Sequence, residues 1–357
     1  MTTTSERLSG TLTREVSKRV SQSVFDGSRL RVVLLVDVHD GAQQQFLEAY
    51  EQLCNQVASV PGHVSDQLCQ SIENPSQWLI TSEWESAPPF LTWVNSEEHV
   101  QMVEPLHSCV RDTRSLRFHV VRETGHAESG QRRLQAHPRI GDGVIRHALT
   151  FTVRPGTEEK VAKILSDYAS PEARVDDTTR LCRTSLFMHG NRVVRAIEVR
   201  GDLLAALRHV ARQPEVRAVE EAINPYLEQE RDLNNQESAR VFFTRAALPA
   251  VHHVSADDQP EGMRQALCYP ARPGRGMRLA ELLARTDSAA ADDPASPILR
   301  STVFQRDDVV VRLVDVRGER DVEALPPDAR AAAEVRELLD AEAARMELIT
   351  DRRSPDA

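Results

Sequence analysis

The stretch RTSLFMHGNRVVRAIEVR, Arg183 to Arg200, decides how this chain is read. Apolar residues alternate on both sides of His189-Gly190-Asn191, a β-hairpin pattern around a turn that favours left-handed backbone. Downstream, Arg300 to Arg317 reads RSTVFQRDDVVVRLVDVR, with Arg183/Arg300, Phe187/Phe304, Arg195/Arg312 and Arg200/Arg317 in register. The match extends upstream, where HALTFTVRPG (147–156) parallels QALCYPARPG (265–274) and each is followed by a helical pattern. The repeating unit is therefore larger than a hairpin.

A weaker third copy lies roughly 115 positions before the second, where Gly41 falls on Gly156 and Trp84-Glu85-Ser86 on Val199-Arg200-Gly201. Each copy reads strand, helix, strand, strand, broken helix, strand, the split βαβ order of ferredoxin-like units. The expected class is α+β, with tandem units of antiparallel sheet covered by helices. Boundaries are expected at 1–28 (a flexible tail), 29–124, 144–250 and 262–348. The stretches 125–143 and 251–262 are linkers by composition, with His252 and His253 in solvent. Residues 239–248 are expected to close the second unit as a strand. The third unit is expected to end in a short strand, 346–349, and to pair with the second.

With 357 residues, 40% apolar, the chain supports two or three cores. A net charge of −10 and 4% aromatics argue against nucleic acid or an anionic membrane as partner. Five cysteines without a CxxC pair, no membrane-length apolar run and no opening apolar segment suggest a cytoplasmic protein with reduced thiols.

Val60-Pro61-Gly62, then Trp84-Glu85-Ser86, then an aromatic-rich helix running to Ser96-Glu97-Glu98-His99, resemble the antibiotic biosynthesis monooxygenase family. The later two units resemble the SchA/CurD-like domain found beside type II polyketide synthases. What the resemblance implies is a dimeric α+β barrel that oxidises a phenolic, anthrone-type aromatic polyketide. Dioxygen is the co-substrate and no flavin or metal takes part, because an electron-rich anion can itself reduce oxygen. It also implies a homodimer, with polyketide synthase or tailoring enzymes as further candidate partners. Trp84 matches the family's positioning Trp. Ile80 stands where the family has Asn, and Glu104 where it has Arg.

The position of Ile80 corresponds to Arg195 and Arg312, each on an apolar strand face. A buried guanidinium needs a counter-charge, either a substrate oxyanion or a carboxylate from a helix or from the partner sheet. His147, on a face with Leu149, Phe151 and Val153, is the candidate base, and Arg195 the candidate oxyanion donor if both look into one cavity. Trp78 and Trp84 are expected to flank a flat ligand, with Ile80, His99, His107, Phe151 and Arg312 as further substrate-contacting candidates. No metal site is expected: Glu104-x-x-His107 is half of a di-iron pattern without its second half. Gly274-Arg275-Gly276 lacks the third glycine of a dinucleotide loop. A cyclase that closes rings by aldol chemistry, and a scaffold without catalysis, remain as alternatives.

Overall fold

The computed structural model describes residues 20–123, 139, 141–232, 234–256 and 262–354. Its architecture is α+β. A short strand β1 (Ser21–Ser23) precedes the first unit, which comprises β2 (Leu30–Val38), α1 (Gln43–Val57), β3 (His63–Gln70), β4 (Gln77–Trp84), α2 (Ala87–Val94), α3 (Glu97–His107) and β5 (Val110–His119). The second contains β6 (Val144–Thr152), α4 (Glu158–Asp167), β7 (Arg180–His189), β8 (Arg192–Arg200), α5 (Leu203–Arg212), α6 (Pro214–Ile223), α7 (Gln236–Ala246) and β9 (Ala247–Ser255). The third contains β10 (Met263–Pro270), α8 (Gly276–Asp292), β11 (Ile298–Arg306), β12 (Val309–Val316), α9 (Ala329–Leu338) and β13 (Ala344–Arg353).

The first unit is a four-stranded antiparallel sheet in the order β3-β4-β2-β5. The second and third share one sheet, β9-β11-β12-β10-β13-β7-β8-β6, which closes by pairing β6 with β9 into an eight-stranded barrel. Both closing strands cross between units: β9 pairs with β11, and β13 with β7. Closure leaves the barrel without a free edge between the two repeats. Local chemistry sets the hairpins and helix starts. Gly190 adopts φ 52° in the β7–β8 turn, and Asp307 holds φ 50° at the equivalent β11–β12 turn, a conformation that Asp tolerates better than branched residues. Asp202 and Ser96 cap α5 and α3 by accepting from the Ala205 and His99 amides.

Several expectations are corrected. From Val20 onward the N-terminal segment is held in place: β1 pairs with β9, Val20 is buried, and its amide donates to Ser255 Oγ at 3.2 Å. Residues 1–19 lie outside the described residues, as do 124–138 and 140 of the first linker and 257–261 of the second. The segment 239–246 is helical, and the closing strand starts only at Ala247. His252 and His253 thus sit in that strand, 3% and 4% exposed, with His253 Nδ1 2.8 Å from Thr302 Oγ1. The last strand runs a full ten residues, because β7 offers it a ladder that the third unit alone lacks.

Inside the barrel lies a core of Ala148, Phe187, Val194, Ala266, Phe304 and Leu313. At one end it gives way to charge. Asp315 accepts from Arg264 (2.8 Å), Arg183 (3.3 Å) and Arg300 (2.8 Å); Arg264 also reaches Glu198 at 2.6 Å, and Arg183 reaches Asp351 at 2.5 Å. Arg183/Arg300 and Glu198/Asp315 occupy equivalent repeat positions, so this network carries the pseudo-twofold of the barrel. Trp84, Phe90 and Leu91 of the first unit join a core with Tyr269, Leu279 and Leu283 of the third, which seats the first unit against α8.

Candidate functional site

The chemistry-bearing residues gather in two places. The first lies where the first unit meets the barrel. Helix α2 supplies Phe90 and Trp93, and the Ser96 cap starts α3 so that His99 meets Trp93 edge-on at 4.3 Å. Trp84 stacks behind Trp93 at 5.5 Å and meets Phe90 at 5.3 Å. From β5, Arg117 places its guanidinium over the Phe90 ring at 5.3 Å and keeps open surface. No carboxylate pairs with Arg117 among the described residues. Burial, then the charges of Arg117 and Arg306, push the His99 imidazole down to about 4. Burial and Arg117 likewise push His147, arriving from β6, down to about 4. Both rings are therefore neutral near pH 7 beside an uncompensated cation. Arg306 ties this region together, donating to Asn95 O at 3.2 Å and to Thr244 O, while Arg245 pairs with Glu97.

Along the same sheet face, Asp66 and Ser82 sit at the level of Val32 and Arg117. His63 Nε2 lies 2.8 Å from Asp66 Oδ2, and burial raises the Asp66 carboxyl above its ordinary value. The Tyr50 hydroxyl is pushed up to about 12 by burial, with Asp66 adding to the effect. A polar belt thus separates two apolar clusters of the first unit.

The second place is a cavity of about 280 Å³ between the second unit's sheet and its helices, lined by Leu149, Ile197, Leu207, Val210, Val216 and Phe243. Arg195 and Glu220 stand in its wall, 2.9 Å apart, and Glu220 also accepts from Arg231, which lies over the Phe242 ring at 4.2 Å.

The expected residues are distributed differently from the sequence reading. His147 and Arg195 do share a sheet face, opposite Ile197 and Leu149 respectively, but His147 does not line the cavity of Arg195. Its imidazole instead feels the charge of Arg117. Arg195 and Arg312 each meet a helix carboxylate, Glu220 on α6 and Asp287 on α8 (2.5 Å), which is the ion-pair alternative. Trp84 is fully buried and donates to Ser82 Oγ at 3.0 Å, while Trp78 packs against Phe46 at 5.4 Å. The two indoles therefore fill separate clusters and do not flank one ligand. Ile80 packs with Trp78, and Phe151 lines an open cleft of about 530 Å³ with Arg192, Arg245 and Arg306. His107 sits half-buried in the last turn of α3. Sequence reasoning missed Arg117, Glu220, Arg231 and the His63–Asp66 pair. Only Arg117 left a signal, as a cation on the apolar-facing register of β5.

The pattern of matches to known proteins follows this architecture. Residues 29–105 match the model for "Antibiotic biosynthesis monooxygenase", and residues 144–256 that for "SchA/CurD like domain". "Protein SchA" of Streptomyces halstedii is 58% identical over 95% of this chain and 97% of its own. The chain belongs to the SchA/CurD family. Within that family, "Polyketide synthase CurD" of Streptomyces cyaneus is 59% identical over 95% of this chain and 98% of its own length. A "42.8 kDa protein in whiE locus" of Streptomyces coelicolor is 64% identical over 91% and 83%. In this SchA/CurD-family chain, no group of three His, Cys, Asp or Glu able to hold a metal occurs among the described residues, and no described helix is long and apolar enough to cross a membrane.

Proposed function

We propose that this SchA/CurD-family protein is a tailoring enzyme of aromatic polyketide biosynthesis. It binds a phenolic, anthrone-type intermediate at Arg117 and oxidises it with dioxygen to a quinone. The observation that carries the reading is the Arg117 guanidinium, with no carboxylate partner among the described residues, lying over the Phe90 ring while its charge acts on two neutral imidazoles. A phenol brought to that cation is acidified, since its anion supplies the missing counter-charge. Once the anion forms, Arg117 no longer depresses His99 and His147 as strongly, and either imidazole can hold the released proton. The Phe90 and Trp93 rings shield the bound anion from water. In quinone formation the ring methylene loses two hydrogens and gains one oxygen atom, and the second oxygen atom leaves as water. The relative named for a polyketide synthase and the monooxygenase-type first domain support the assignment.

An oxygen electrode tests it. Purified protein with an anthrone substrate is expected to consume oxygen, and Arg117→Gln to slow consumption about a hundredfold, as loss of an oxyanion donor does. Undiminished uptake by that variant would end this reading. Water loss without oxygen uptake would point to a cyclase, and neither reaction to a scaffold.

A further inference from the structure

We infer that the second unit's cavity is a separate binding site for a planar aromatic anion of two or three fused rings. This goes beyond the oxidation proposed at Arg117 and does not depend on it. Three observations converge. The cavity, about 280 Å³, is just below the usual range for small-molecule pockets and is mostly apolar, with Leu149, Ile197, Val216 and Phe243 in its wall. Its charge is unbalanced: Glu220 is shared by Arg195 and Arg231, two guanidiniums to one carboxylate. The unit's own duplicate shows what a purely structural version looks like. There Arg312 pairs one-to-one with Asp287, which also accepts from Ser301. The space beside it is filled by α8 and by the segment 320–324, which accepts from the Tyr269 hydroxyl and clasps the Gln265 amide. An arginine that merely closed a core would have been packed as Arg312 is. Arg195 instead borders open apolar volume with surplus positive charge, and a ring-borne carboxylate or phenolate both fills the space and completes the pairing.

The experiment is a fluorescence titration of the full chain with 2-naphthoate, in an Arg117→Gln background so that the first site does not contribute. One saturable site per chain is expected, with 2-naphthamide at least tenfold weaker because it lacks the charge. Arg195→Gln should weaken 2-naphthoate at least tenfold while leaving Glu220 paired one-to-one with Arg231. Ala239→Trp, which occupies the cavity and touches no ion pair, should abolish binding and decides the matter if Arg195→Gln does not fold. No binding in the Arg117→Gln background, equal affinity for acid and amide, or binding that survives Ala239→Trp would each overturn the inference. Loss of oxygen uptake in Arg117→Gln with 2-naphthoate binding intact would confirm that the two sites are independent.

Discussion

At the scale of single residues, Trp84 is where the family likeness and the packing diverge. The resemblance implies a side chain that positions substrate, yet the indole is wholly enclosed by Phe90, Trp93 and His63, with its N–H satisfied by Ser82. Trp84→Ala is therefore expected to cost about 3 to 5 kcal/mol in stability, the range for emptying a large aromatic site. Chemical denaturation measures this, and a loss under 1 kcal/mol would place Trp84 in a cavity after all. Arg195 teaches the reverse lesson. Its strand position announced a need for a partner, but both a substrate and a carboxylate satisfied that need on paper. Glu220 is about 25 residues away along the chain, on a helix whose docking no local pattern specifies.

Among elements, registry across strands makes the barrel's charged end. Asp315 on β12 faces Arg264 on β10 and Arg300 on β11 through ladder pairing, and Arg183 comes from β7 across the interior. The three guanidiniums hold its carboxyl far below the ordinary value against the opposing effect of burial. Asp315→Asn would leave these cations under-compensated in a closed interior, and a loss of about 3 to 5 kcal/mol is expected, typical of breaking a buried pair. The pH dependence has a definite sign. A carboxylate depressed in the folded state binds fewer protons there than in the unfolded chain, so its stabilisation is present above about pH 4 and is lost as the pH falls below. Unfolding curves for the wild type should steepen in their pH dependence below pH 4, and Asp315→Asn should flatten that limb. An unchanged acid limb would show that Asp315 is not the controlling group.

For the whole molecule, the consequence of barrel closure falls on the first unit. The second and third units satisfy each other, so the outer face of the β3-β4-β2-β5 sheet is left with Leu35 (44% exposed) and Phe118 (52% exposed), with Val33, Leu79 and Leu116 beside them. A second copy of the chain, related by a twofold axis, would cover that face. Light scattering at micromolar concentration is expected to give a dimer, and Leu35→Asp with Phe118→Asp a folded monomer. A monomeric wild type would remove this expectation.

The repeat in the sequence was enough to predict α+β units in tandem, because strand alternation and turn residues are local and recur in register, whereas the closure of the last two into one barrel within a chain is a property of the tertiary structure. The hairpins at Arg183–Arg200 and Arg300–Arg317 fall where the β7–β8 and β11–β12 ladders lie. Chain-local patterns stop there. Residues 239–246 became helix and His252 and His253 became buried strand because β11 and β6 needed a partner between them, a demand made from the other repeat. The candidate site shows the same division. His147 and Arg195 were visible as polar groups on apolar faces, whereas the influence of the Arg117 charge on His147 depends on how one unit docks on another. Burial and long-range charge set which groups are neutral and which cations lack partners, and both are properties of the assembled interior, decided only when distant segments pack together.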